Sequence, residues 1–349
     1  MAYTNINKSS EHFNTKLYTG NQSTNVITGV GFQPDLVWLK RRDNEHHNLY
    51  DAVRGVTYAI RTSMQLSEGA DVNGLTSFDS DGFTLGNGTN QNSSGVSHAS
   101  WNWKANGAGS SNTDGDITST VSANTTSGFS IVTWNNSSNS GTIGHGLGAK
   151  PSVIITKKRD GTAGWVSWFQ ALGTSNEQRN YIYLDSQNAS GVSSIDYWGT
   201  SINSNTFGVP TGGYDNNNGS MLAYCFAEKK GFSKFGSYTG NGSTDGTFIY
   251  TGFKPAFYMV KQTNTSGEGW FMWDNKRSSA GGANENDRYL VANGSNAEGN
   301  LGVDCDFLSN GVKTRYAGSA TNTDGASYIY MAFAEAPLVG SNNIPCTAR

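Results

Sequence analysis

The chain has 349 residues, a net charge of −3 and only 15% charged residues. That length predicts two or three domains rather than one. The charge balance excludes the basic stripe that nucleic-acid binding requires, the densest runs being Lys40-Arg41-Arg42 and Lys157-Lys158-Arg159.

No run approaches the roughly 18 apolar residues of a membrane span, and Met1 to Lys8 has no apolar signal core. Three cysteines, Cys225, Cys305 and Cys346, lack paired spacing. They argue against a disulfide framework or zinc site and for folding in a reducing cytoplasm. Glycine is abundant at 44 residues, and 16 Phe, 16 Tyr and 9 Trp need burial. Short strands joined by tight turns are the expected form.

In chain order, a polar lead precedes a first unit (1–107). Its signals are Leu17-Tyr18-Thr19-Gly20, a strand after Pro34, an Asp81-Gly82 hairpin and a closing strand with Ala99, Trp101 and Trp103 alternating. Residues 108–128 hold no aromatic residue and read as an extended Gly/Ser/Thr linker. A second unit (129–231) and a third (232–340) repeat the order, and 341–349 reads as a tail. Single helical turns are expected at 186–194 and 295–301.

The repeat is explicit. Gly31-Phe32-Gln33-Pro34, Gly148-Ala149-Lys150-Pro151 and Gly252-Phe253-Lys254-Pro255 each feed an apolar run, and a lysine follows each proline by six positions (Lys40, Lys157, Lys261). In the closing strands Ser97 aligns with Ser220 and Ser327, and Trp103 with Phe226 and Phe333. Three all-β units of about 100 residues, tandem β-sandwiches of jelly-roll type, are the predicted architecture.

The three lysines read as strand ends with their charge in solvent. Asp51 with Arg54 and Asp274 with Arg277 recur at one spacing, whereas the second unit has Phe169 and Leu172. A catalytic pair lost in the middle copy would be odd, so a structural ion pair is expected. Trp165 and Trp168, and Trp270 and Trp273, stand three apart on strands, so one of each pair is expected near the surface. With Tyr214 and Asp215 they form the candidate sugar-binding set, because aromatic planes stack on apolar sugar faces while polar groups bond the hydroxyls. The Asp-Gly loops around Asp81, Asp114, Asp245 and Asp324 offer oxygens that calcium would accept. None completes the EF-hand pattern, and turn chemistry accounts for them without a metal. No catalytic or cofactor motif is present, so the expectation is no enzyme and no cofactor.

The stretches Met1 to Lys8, Gly29 to Trp38, Leu75 to Phe83, Phe235 to Ser243, Asp306 to Gly311 and Tyr330 to Glu335 resemble uncharacterised virion proteins of marine tailed phages, those of cyanobacteria among them. The resemblance covers essentially the whole chain. It implies a virion protein, assembled in the host cytoplasm, that contacts other virion proteins and a host-surface glycan or receptor, with no nucleic-acid partner and no membrane insertion. A tail-fibre-like adhesin is the first expectation, a capsid or tail decoration protein the second, a tailspike-like depolymerase the third. Fibres of this kind are commonly trimeric, although no coiled-coil heptad or β-helix period marks this chain.

Overall fold

Each repeated proline stands where a strand can tolerate a missing N–H. Pro34 and Pro151 precede the strands Leu36–Arg41 and Val153–Lys158. Pro255 lies inside Phe253–Gln262, at a break in register against the neighbouring strand. The computed structural model describes residues 3–136, 139–211, 215, 219–279 and 284–340. Among them the fold is all-β: strands carry every sheet, and helical structure is confined to Ser9–Glu11, Thr89–Asn92 and Gln170–Leu172. The helical turns expected at 186–194 and 295–301 are absent.

One strand order recurs in the three larger sheets. An opening strand (Phe13–Thr19, Phe129–Asn136, Ser233–Thr239) pairs with the closing strand (Ser97–Trp103, Gly219–Phe226, Ser327–Pro337). The closing strand pairs in turn with the proline strand, and that with a fourth strand (Asn48–Asp51, Val166–Phe169, Phe271–Asp274). All these pairs are antiparallel, and register is kept: Trp38 lies opposite Trp101, Ile155 opposite Tyr224 and Met259 opposite Met331.

A smaller sheet covers the outer face of each larger one. In the first unit, Ile27, Leu75, Phe83 and Leu85 pack on Val37 and Leu39; in the second, Ile143, Phe207 and Val209 pack on Val132, Ile154 and Ala223. At the hairpin of the first small sheet, Gly82 has a φ of +154° and faces the carbonyl of Ile27, so a Cβ there would collide with backbone.

The inner faces meet one another, and this was not legible in a tandem reading. Trp103, Phe226 and Phe333 form a triangle of rings with centroids 6.4, 5.7 and 5.6 Å apart. Phe13 stacks on Phe333 at 5.1 Å, and one core cluster runs through all three units. The units therefore close around a shared centre instead of standing in a row. The shared centre on one face and the small sheet on the other together explain why His98, Ser100 and Asn102 are as buried as the Ala99, Trp101 and Trp103 alternating with them. A central strand with both faces covered shows no polar-out pattern.

Residues 108–128 are not a linker. Ser110–Asn112 and Ser119–Asn124 are strands that extend the second large sheet to eight strands, with Val121 buried. Their Ser, Thr and Ala residues carry little apolar signal because they pair at the margin of the sheet.

Candidate functional site

One tryptophan of each pair is expected near the surface, but all four are buried. Trp165, Trp168, Trp270 and Trp273 have no exposed area. They do face opposite sides in the second unit, Trp165 to the shared centre and Trp168 to the unit's own interior. Both sides are covered, so no ring plane is free for a sugar. Their indole N–H groups are used as well: Trp165 donates to the Arg61 carbonyl at 2.8 Å, Trp270 to the Tyr183 carbonyl at 2.9 Å, Trp168 to the Glu177 carbonyl and Trp273 to Asp304 Oδ2. Asp215 Oδ2 sits 3.3 Å from Tyr183 Oη and from the Gly164 amide. Tyr214 lies outside the described residues.

Two of these indole bonds cross between units, and a third bond completes the circuit. His47, which stands where Trp165 and Trp270 stand in the other units, places Nε2 3.0 Å from the Val291 carbonyl. First unit binds third, third binds second, second binds first.

The repeated lysines are the second correction. Lys40, Lys157 and Lys261 are at most 1% exposed. They share the inward face of their strands with Trp38, Ile155 and Met259, and that face is closed by the neighbouring unit. Each ammonium is held by main-chain oxygens: Lys40 Nζ by Arg41 and Asn44, Lys157 Nζ by Gln65 and Ala163, Lys261 Nζ by Gln262. Burial pushes all three down to about 8.

The Asp–Arg pairs form the ion pairs expected from their loss in the middle unit, and they also tie units together. Arg54 Nε meets Asp51 and Arg277 Nε meets Asp274 at 2.6 Å, all four side chains fully buried. Asp51 also accepts from Tyr224 Oη of the second unit at 2.8 Å, and Asp274 from Trp101 Nε1 of the first at 3.0 Å.

Outward of each pair lies a glutamate bridged by a second arginine. Glu68 lies between Arg54 (3.3 Å) and Arg159 (2.8 Å), and Glu298 between Arg277 (3.0 Å) and Arg42 (2.6 Å). A main-chain bond fixes each: Glu68 N to Arg159 O at 2.8 Å and Glu298 N to Arg42 O at 2.7 Å. The corresponding bond of the third seam runs from Ser190 N to Thr263 O at 2.9 Å. There the arginine–glutamate–arginine set is replaced by Leu172, Ser190 and Thr263.

Asp304 is buried, its Oδ2 bonded to Trp273 and its Oδ1 without a partner. Burial raises it to about 6. Among the described residues no three His, Cys, Asp or Glu side chains gather as metal ligands. Of the Asp-Gly loops, Asp81 accepts the amides of Gly29 and Gly31, and Asp245 pairs with Lys313.

An open cleft of about 630 Å³ lies on the first unit between residues 59–73 and 87–91. Its two carboxylates are already engaged, Glu68 by the two arginines and Asp71 Oδ2 by Tyr50 Oη (2.7 Å) and Gln91 Nε2 (2.6 Å). Asn73, Asn87 and Asn90 line the same cleft, and among the described residues their carboxamides have no hydrogen-bond partner, nor do the hydroxyls of Ser67 and Thr89. These residues carry almost no mark in the sequence. The only signal was the run Gly86-Asn87-Gly88-Thr89-Asn90-Gln91-Asn92, which turn formation alone would explain.

A family model, a domain of unknown function (DUF7483), matches residues 8–337. The chain belongs to the DUF7483 family. The match spans all three units in one model, in keeping with units that share a core. No curated protein matches the chain.

Proposed function

We propose that this member of the DUF7483 family is a non-catalytic virion appendage protein, tail-fibre-like, that holds a host-surface glycan in the cleft of its first unit. The observation that carries the reading is the cleft's inventory: free carboxamides and hydroxyls beside carboxylates that are internally bound. Amides supply donors and acceptors together, which is what a polyol requires. The volume lies within the roughly 300–1,000 Å³ of small-ligand sites. A depolymerase would need two carboxylates free to act on a glycosidic bond, and both acids of this cleft are occupied.

The decoration reading has one observation in its favour. Val26, at 58% exposed, and Tyr250, at 55%, lie on strands at the edges of two small sheets, where a neighbouring subunit would cover them.

The test is binding of the purified protein to an array of bacterial surface polysaccharides and to intact host cells, with surface polysaccharide present or stripped. Saturable binding lost on stripping, and reduced at least tenfold by Asn73→Ala/Asn87→Ala/Asn90→Ala, is expected. Absence of binding at virion-like valency favours decoration, and release of sugar during the assay favours the enzyme.

A further inference from the structure

The second–third seam differs from the other two in what fills it. Elsewhere the contact outside the inward lysine is occupied by Arg54, Glu68 and Arg159, or by Arg277, Glu298 and Arg42. Here Leu172, Ser190 and Thr263 take those places. The main chains still approach, since Ser190 N bonds Thr263 O at 2.9 Å, so the shorter side chains leave space instead of drawing the units closer. That space is a crevice of about 480 Å³.

Its lining points to one class of ligand. No charged side chain is among the described residues that line it, so a charged ligand would lose its hydration without gaining a counter-charge. Leu172 and Ile329 give an apolar wall. Ser237 and Thr239 stand exposed on its rim, with hydroxyls that have no hydrogen-bond partner among the described residues. The Asn264 Oδ1 accepts from the Ser327 amide at 3.2 Å, which fixes the carboxamide at the crevice. An apolar wall beside hydroxyl and amide groups suits a neutral polyol with one apolar face.

We propose that the crevice between Leu172, Ser190 and Thr263 binds a neutral hydroxyl-bearing ligand of about one saccharide residue. The site is separate from the first-unit cleft and does not rest on it.

Saturation-transfer NMR on the full chain tests this, with methyl α-glucoside, methyl β-galactoside and methyl α-mannoside as probes and glucuronate as the charged comparison. Two variants close the crevice. Leu172→Arg/Ser190→Glu/Thr263→Arg installs the residues that the other seams already accommodate. Ser237→Trp blocks the exposed rim and leaves the seam itself intact. Transfer to at least one neutral glycoside, falling tenfold or more in both variants and unchanged in Asn73→Ala/Asn87→Ala/Asn90→Ala, is the expected result. Absence of transfer to all three glycosides overturns the proposal. So does transfer that survives Ser237→Trp, or glucuronate binding as well as the neutral probes.

Discussion

Two of the three seams are built around a buried aspartate–arginine pair, and the third has only the buried Lys261. At the first–second and third–first seams, an aspartate–arginine pair sits in the interior and receives a hydrogen bond from the closing strand of the next unit, Tyr224 in one case and Trp101 in the other. At the second–third seam the matching residues are Phe169 and Leu172, and the closing strand offers Met331. The same backbone thus supports a polar and an apolar solution. The ring triangle of Trp103, Phe226 and Phe333 is common to all three units, so the charged pairs are an addition to a shared apolar frame. A buried ion pair contributes little net stability over an apolar equivalent, but half a pair is strongly destabilising.

The largest expected effect follows from halving a pair. Asp274→Ala leaves Arg277 buried without its acid and is expected to cost about 3–5 kcal/mol, measured by denaturant unfolding. The matched change at the seam without such a pair, Phe169→Leu, is expected to cost roughly 1 kcal/mol, in the range of hydrophobic swaps that need some repacking. Equal losses at both positions would remove the distinction between the seams.

The next effect is on pH dependence. Lys40, Lys157 and Lys261 have their values lowered to about 8 by burial, from 10.5. Below pH 8 both folded and unfolded chains carry these protons, and the folded state bears the full cost of buried charge. Between pH 8 and 10.5 the folded protein releases them first, so stability is expected to rise with pH across that window. Above pH 10 the buried Tyr224 and Tyr258, pushed well above 10 by burial, reverse the trend. Thermal unfolding from pH 7 to 11 measures this, and Lys40→Met/Lys157→Met/Lys261→Met is expected to flatten the rise.

Asp304 gives a smaller effect of the same origin. Raised from 3.8 to about 6, it keeps a proton in the folded state that the unfolded chain has lost, so stability falls as pH rises from 4 to 6. Asp304→Asn retains an acceptor for Trp273 and is expected to raise the melting temperature at pH 7 but not at pH 3.

The smallest effect on stability belongs to the cleft. Asn73→Ala/Asn87→Ala/Asn90→Ala is expected to change unfolding by no more than about 0.5 kcal/mol per site, so a loss of glycan binding in that variant reports contact and not folding.

Much of the fold was legible because it repeats. The prolines, the lysines six positions on and the aligned closing strands located the sheets. What the repeat could not show was how its copies face one another. Lys40 on an alternating strand looks like a solvent-facing end until a second unit covers that face. Trp165 and Trp168 look half exposed for the same reason. Residues 108–128 were misread because marginal strands of Ser and Thr resemble a linker. The cleft amides were invisible because asparagine beside glycine is ordinary turn chemistry.

The ends of the described chain also meet. Tyr3 Oη donates to the Gly252 carbonyl at 2.8 Å, and Thr4 and Pro337 both lie against Gly231. A closed three-unit circuit whose last strand returns beside its first residues has no privileged starting point. Rejoining Pro337 to Thr4 through a short linker and opening the chain at exposed Ala108 is expected to yield a circular permutant with the same architecture.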